Sequence, residues 1–90
     1  MKFWYYIVYG QPKDFGGLEN RIAAEKKFGE VLKKHGMELV LTGNSFGTKE
    51  DYVYVMKGSM ESYQALFGNQ DFADANPIGS DQRSNFVLVP

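Results

Sequence analysis

The chain has no cysteine and a single histidine among its 90 residues. Without cysteine there are no disulfides, no thiolate metal sites and no cysteine-nucleophile chemistry. With one histidine, only His35 titrates near neutrality without help from its surroundings. Charge of one sign is also scarce in any one place: ten basic and eleven acidic residues give a net charge of -1. With no basic block there is no electrostatic footprint for a phosphate backbone, and nucleic acid is not expected as a partner. No stretch approaches the roughly 18 apolar residues of a membrane span. The first residues lack a charged segment leading into a long apolar run and a small-residue cleavage site, so the expected setting is the cytoplasm, away from membranes. Asp71, Asp74 and Asp81 are scattered without the spacing of a metal loop, and no metal is expected.

Aromatic residues, by contrast, are abundant: seven Phe, six Tyr and one Trp. A chain of this length makes one domain, residues 1–90, and buries only about 60 to 65% of its unfolded surface, so it needs a well-filled core or a partner subunit. The run KFWYYIVYG, residues 2–10, places Phe3, Tyr5, Ile7 and Tyr9 on one face of a strand and Trp4, Tyr6 and Val8 on the other. Both faces are apolar. Gly10, Pro12, Asp14 and Gly16-Gly17 then break the pattern, and a helix is predicted from Leu18 to His35, ended by Gly36. MELVLT, residues 37–42, reads as a second strand with a loop or bulged extension through GNSFG. DYVYVMK, residues 51–57, is a third, again apolar on both sides.

Ser59 is a candidate N-cap for a short helix carrying Met60, Tyr63, Leu66 and Phe67, and Gly68 ends it. Residues 69–84, NQDFADANPIGSDQRS, read mostly as loop because of Asn76-Pro77 and Gly79, with one irregular helical turn around 71–75. NFVLV, residues 85–89, closes the chain as a strand. The order strand, helix, strand, strand, helix, strand is the split β-α-β arrangement of an α+β, ferredoxin-like sandwich. Its crossovers set two helices on one face of a four-stranded antiparallel sheet and leave the other face open. An open face carrying Tyr, Phe, Val and Ile calls for a cover, and a second copy of the same sheet is the expected one.

In element order, length, two-sided strands and the passage of a helix ending KKHG into the second strand, the chain resembles the dimeric α+β barrels, in which two ferredoxin-like subunits press their sheets together. That superfamily includes small monooxygenases, haem-degrading enzymes, muconolactone isomerase-like and YCII-like proteins, stress-responsive barrel proteins and ligand-sensing domains. The resemblance implies a homodimer through the open sheet face. It also implies one of two functions. The first is binding or transforming a small aromatic or lactone-like molecule without a bound cofactor; the second is acting as a non-catalytic stress-associated or ligand-sensing module. Other families with this element order fit poorly. GQPKDFGG lacks the Arg-bearing phosphate cradle of an acylphosphatase, DYVYVMK lacks an RNA-binding aromatic and basic pattern, and a metal chaperone needs a cysteine pair.

Candidate site residues follow from chemistry. His35 is the natural general base, although beside the Gly36 cap it also suits a packing or capping role at the carbonyl end of the helix. Arg21 and Glu25 are less expected. Four residues apart, they fall inside the stripe marked by Leu18, Ile22, Phe28 and Leu32, where a charged pair must be fully hydrogen-bonded, reach water at the sheet edge, or bind something polar. Glu25 is then an acid or base and Arg21 a carboxylate or phosphate partner. Tyr5, Tyr54 and Trp4 are candidates to line a ligand pocket, against the plainer reading of core and interface aromatics.

Overall fold

A computed structural model describes residues 3–90. Met1 and Lys2, the latter part of the first predicted strand, lie outside the described residues. The elements are β1 (Phe3–Pro12), α1 (Leu18–Lys34), β2 (Glu38–Asn44), β3 (Tyr52–Gly58), α2 (Met60–Leu66), α3 (Gln70–Ala75) and β4 (Ile78–Val89). The four strands form one sheet in the order β2-β3-β1-β4, with every neighbouring pair antiparallel.

Register aligns Tyr6 with Met56 and Val8 with Tyr54, so these side chains share the helix-facing side of the sheet. There Tyr6, Val8, Tyr52, Tyr54 and Met56 are buried together with Phe28 and Leu32 of α1 and Leu66 of α2. Aromatic edges bind the layers: Phe28 meets Tyr54 at 4.9 Å between ring centroids and Phe72 of α3 at 5.8 Å, while Tyr63 of α2 stacks on Tyr6 at 4.1 Å. The opposite face carries Phe3, Tyr5, Ile7 and Tyr9 of β1, Val53 and Val55 of β3, Leu41 of β2 and Val87 of β4, with no layer over it among the described residues.

α1 ends as its sequence predicts. Gly36 adopts φ 80° and donates to the Lys33 carbonyl at 3.1 Å, while the Met37 N–H reaches Leu32 at 2.8 Å. This pair of bonds satisfies the last carbonyls of the helix and turns the chain directly into β2. α2 and α3 are capped at their starts by Ser59, accepting from the Ser62 N–H, and by Asn69, accepting from the Phe72 N–H.

Three sequence expectations need correction. The segment read mostly as loop, residues 69–84, holds the expected helical turn as the short α3, but it also contains the first half of β4. β1 does not stop at Gly10 but runs to Pro12, because β4 keeps pairing with it through Gln11–Ser80 and Pro12–Ile78. Gly10 permits that approach: a Cβ there would collide with the Ile78 side chain and come within 3.0 Å of the Ser80 carbonyl. The bulge of β2 falls inside the strand, between Leu39 and Leu41, rather than after it. Among the described residues no helix is long and apolar enough to cross a membrane.

Candidate functional site

Arg21 and Glu25 lie on the inward side of α1, with side chains only 23% and 15% exposed. The apolar residues expected beside them, Leu18 and Ile22, face outward at 70% and 57% exposure. The stripe therefore runs Arg21, Glu25, Phe28, Leu32, rotated from the expected one by about 30° around the helix. What receives the charged pair is Tyr52 of β3. Its hydroxyl donates to Glu25 Oε2, Arg21 Nε donates to the same oxygen at 3.5 Å, and the guanidinium lies 5.0 Å from the Tyr52 ring centroid. Arg21 Nη1 also donates to Asn44 at the end of β2, at 3.1 Å. The cluster is closed on itself. Burial, and then the neighbouring carboxylate accepting its hydrogen, push the Tyr52 phenol well above its ordinary range, against the smaller opposing pull of Arg21.

His35 occupies the C-cap of α1, ten residues beyond Glu25 and so about 15 Å along the helix axis. Its Nε2 is buried and has no hydrogen-bond partner among the described residues. The two expected proton carriers thus stand at separate places. Tyr5 lies on the open face, edge-on to Phe3 at 5.5 Å. Trp4 and Tyr54 lie on the helix side, Trp4 stacked over Tyr6 at 6.5 Å and Tyr54 fully covered.

Two phenol hydroxyls in this interior, those of Tyr6 and Tyr54, are buried without a partner among the described residues. Asn76 lies beside the Tyr54 hydroxyl but does not complete a hydrogen bond. Burial raises the pKa of both phenols, and nearby Tyr63 adds to the effect, so both stay protonated and able to donate. Two surface hollows, of about 270 and 430 Å³, flank α3 and share Lys13 and Asn76 as walls. Of five hollows described, none is lined by Arg21, Glu25 or His35.

A further cluster escaped the sequence reading. Glu50, in the β2–β3 loop, is only 7% exposed and pairs with Arg83 of β4. Arg83 donates to both of its carboxylate oxygens and lays its guanidinium 4.3 Å from the centre of the Tyr9 ring on the open face. Arg83 holds the Glu50 carboxyl below the usual carboxylate range. The only sequence signal was that Tyr9 and Arg83 fall opposite each other once β4 is extended, and residues 78–84 were read as loop.

With this geometry in hand, solved structures supply the likeness. A dimeric ferredoxin-like protein of unknown function from Thermobifida fusca superposes with a TM-score of 0.67 at 15% identity, over 98% of this chain and 92% of that one. The fold is ferredoxin-like. A second dimeric protein of unknown function with this fold, from Bacteroides fragilis, gives a TM-score of 0.57 at 10% identity over 94% of each chain. No protein-family model and no curated protein matches the chain.

Proposed function

We propose that this chain works as a homodimer, two ferredoxin-like domains joined through their open sheet faces as an α+β barrel, and that its role is to bind a small organic molecule. The observation that carries the dimer is the uncovered face of Phe3, Tyr5, Ile7, Tyr9, Val53, Val55, Leu41 and Val87. A helix-covered sheet that leaves such a row in water forgoes about 25 cal/mol for each Å² of apolar surface a partner would cover. The likeness to two proteins described as dimeric supports the choice of a second copy as the cover. Tyr5 belongs to this contact. Ile7 and Val55 are opposed near the middle of the face. Substituting either with Lys is expected to give monomers in sedimentation velocity, and an unchanged dimer in both variants would rule out this face.

The ligand reading is supported by the unpartnered hydroxyls of Tyr6 and Tyr54. Leaving such a group buried and unpaired costs about 1 to 3 kcal/mol, so a bound acceptor there is favoured. The fitting class is a small aromatic or lactone-like molecule with a carbonyl oxygen, taking a hydrogen bond from Tyr54 against the rings of Tyr6 and Trp4. Arg21 and Glu25, bonded to Tyr52 and to each other, hold α1 on the sheet beside this interior. No described hollow is lined by Glu25 or His35, and none by Tyr6, Tyr54 or Trp4, so an acceptor for the Tyr54 hydroxyl has to enter through an opening of the packing around it. Titration with 4-hydroxybenzaldehyde, followed by quenching of Trp4 fluorescence, tests it. Saturable quenching that weakens in Tyr54→Phe is the expected result; no saturation, or equal affinity in the variant, counts against the pocket. His35→Ala and Glu25→Gln, with equal quenching, would leave binding intact and assign neither residue to it. The reading includes a cytoplasmic setting, which the zero cysteine count suits.

A further inference from the structure

Beyond Tyr9 the open face ends in a different kind of surface. The β1–β4 register slips between Tyr9 and Gln11 and again between Gln11 and Pro12, and Asp81 adopts φ 56°. Irregularities of this sort re-aim side chains that a regular strand would send to alternate faces. Here a hollow of about 350 Å³ opens between Gln11, Lys49, Glu50, Asp81, Gln82 and Arg83.

The charges of the hollow sort into two groups. Arg83 and Glu50 neutralise each other, Nε and Nη2 being spent on the two carboxylate oxygens. That bidentate grip and the Tyr9 ring fix the guanidinium plane before any ligand arrives, which removes part of the ordering cost of binding. Arg83 Nη1 makes no hydrogen bond to another described residue, and neither Lys49 nor Asp81 has an ion-pair partner among them. Gln82 accepts from Asn76 through its side-chain oxygen at 3.1 Å, leaving its amide nitrogen to donate. Among the described residues the site thus offers one unpaired cation, Lys49, with the unspent Nη1 of Arg83 in the same hollow, and one unpaired anion, Asp81. A simple carboxylate would be opposed by Asp81 and a simple amine by Lys49, whereas a molecule carrying both charges satisfies both.

We infer that this hollow binds a small zwitterion of the free amino acid class, its carboxylate received by Arg83 Nη1 and Lys49 and its ammonium by Asp81. The hollow borders the face that the proposed dimer covers, since Arg83 packs on Tyr9 there, but the inference does not use the hydroxyls of Tyr6 and Tyr54. The experiment is a nuclear magnetic resonance titration of the full isotope-labelled chain with glycine and L-alanine, and with acetate and methylammonium as half-ligands. Expected are saturating amide shifts confined to residues 48–51 and 80–84, with the half-ligands at least tenfold weaker. Lys49→Ala and Asp81→Gly, both exposed, should each weaken the amino acids at least fivefold with an unchanged thermal midpoint; glycine accepts the positive φ without strain. Tyr54→Phe should leave this binding untouched. Absence of saturation, equal response to acetate or methylammonium alone, or wild-type affinity in both charge variants would overturn the assignment.

Discussion

The Tyr52 hydroxyl, on the third strand, donates to the carboxylate of Glu25, 27 residues earlier on the first helix. This single bond explains how a helix can turn a charged pair toward a sheet. Arg21 holds the same carboxylate from the other side, so the charge is both paired and hydrogen-bonded where it is half-buried.

Removing the donor should therefore cost more than weakening the acceptor. Tyr52→Phe is expected to lower stability by about 1 to 2 kcal/mol, the loss of a hydrogen bond to a charged group, and Glu25→Gln by less because an acceptor remains. Urea unfolding with an unchanged slope checks the pair. No loss in Tyr52→Phe would mean that the bond contributes nothing to stability, and equal losses would mean that the charge Glu25 presents to Arg21 matters as much as the bond.

Tyr6, Tyr52, Tyr54 and Tyr63 all have phenol pKa values raised above the ordinary 10.0, in each case chiefly by burial. A raised value means that the folded state holds the proton more tightly than the unfolded chain does. The contribution is complete below pH 10 and is lost as pH rises above it toward the folded values. Stability should accordingly fall on the alkaline side of pH 10, with much of the tyrosinate absorbance developing together with loss of the fold. Full ionisation of all six tyrosines in a still-folded protein would contradict this.

The Glu50 carboxyl is displaced the other way, below 4.5, by the Arg83 hydrogen bonds. Its contribution is present above the unfolded value and disappears as pH falls through the folded one. Arg83→Met should therefore be less stable than the natural chain at neutral pH, with the gap narrowing below about pH 4.5. Unfolding curves at neutral and acid pH measure that gap, and a constant difference would count against the ion pair as its source.

At Gly36, φ 80° and a contact of 2.8 Å between a would-be Cβ and Ser62 Oγ both oppose a side chain. Gly36→Ala should cost about 1 to 2 kcal/mol from the left-handed backbone, more if Ser62 cannot turn away. The double variant with Ser62→Ala, which removes the Oγ and keeps α2 helical, should recover the steric part, read from thermal unfolding.

How far the sequence carries can be judged from these residues. Strand alternation in KFWYYIVYG and DYVYVMK specified both faces of the central strands, and Gly36 marked the end of α1, because those signals are local. The inward placement of Arg21 and Glu25 was also legible from helical spacing, but their partner was not: Tyr52 reaches them only through the packing of α1 on β3. Leu18 and Ile22 were misplaced because their apolar character outweighed a small rotation of the helix face. β4 was cut short because Gly79 and a polar run resemble a loop, and only pairing with β1, made possible by the missing side chain at Gly10, makes them a strand. With the first half of β4 unread, the Glu50–Arg83–Tyr9 cluster could not be seen.

The most direct test of the account is the molar mass in solution by light scattering over a dilution series. The account predicts twice the 10.2 kDa chain mass, persisting to low micromolar concentration. A mass of 10.2 kDa throughout the series would contradict it and leave the apolar sheet face to a different partner.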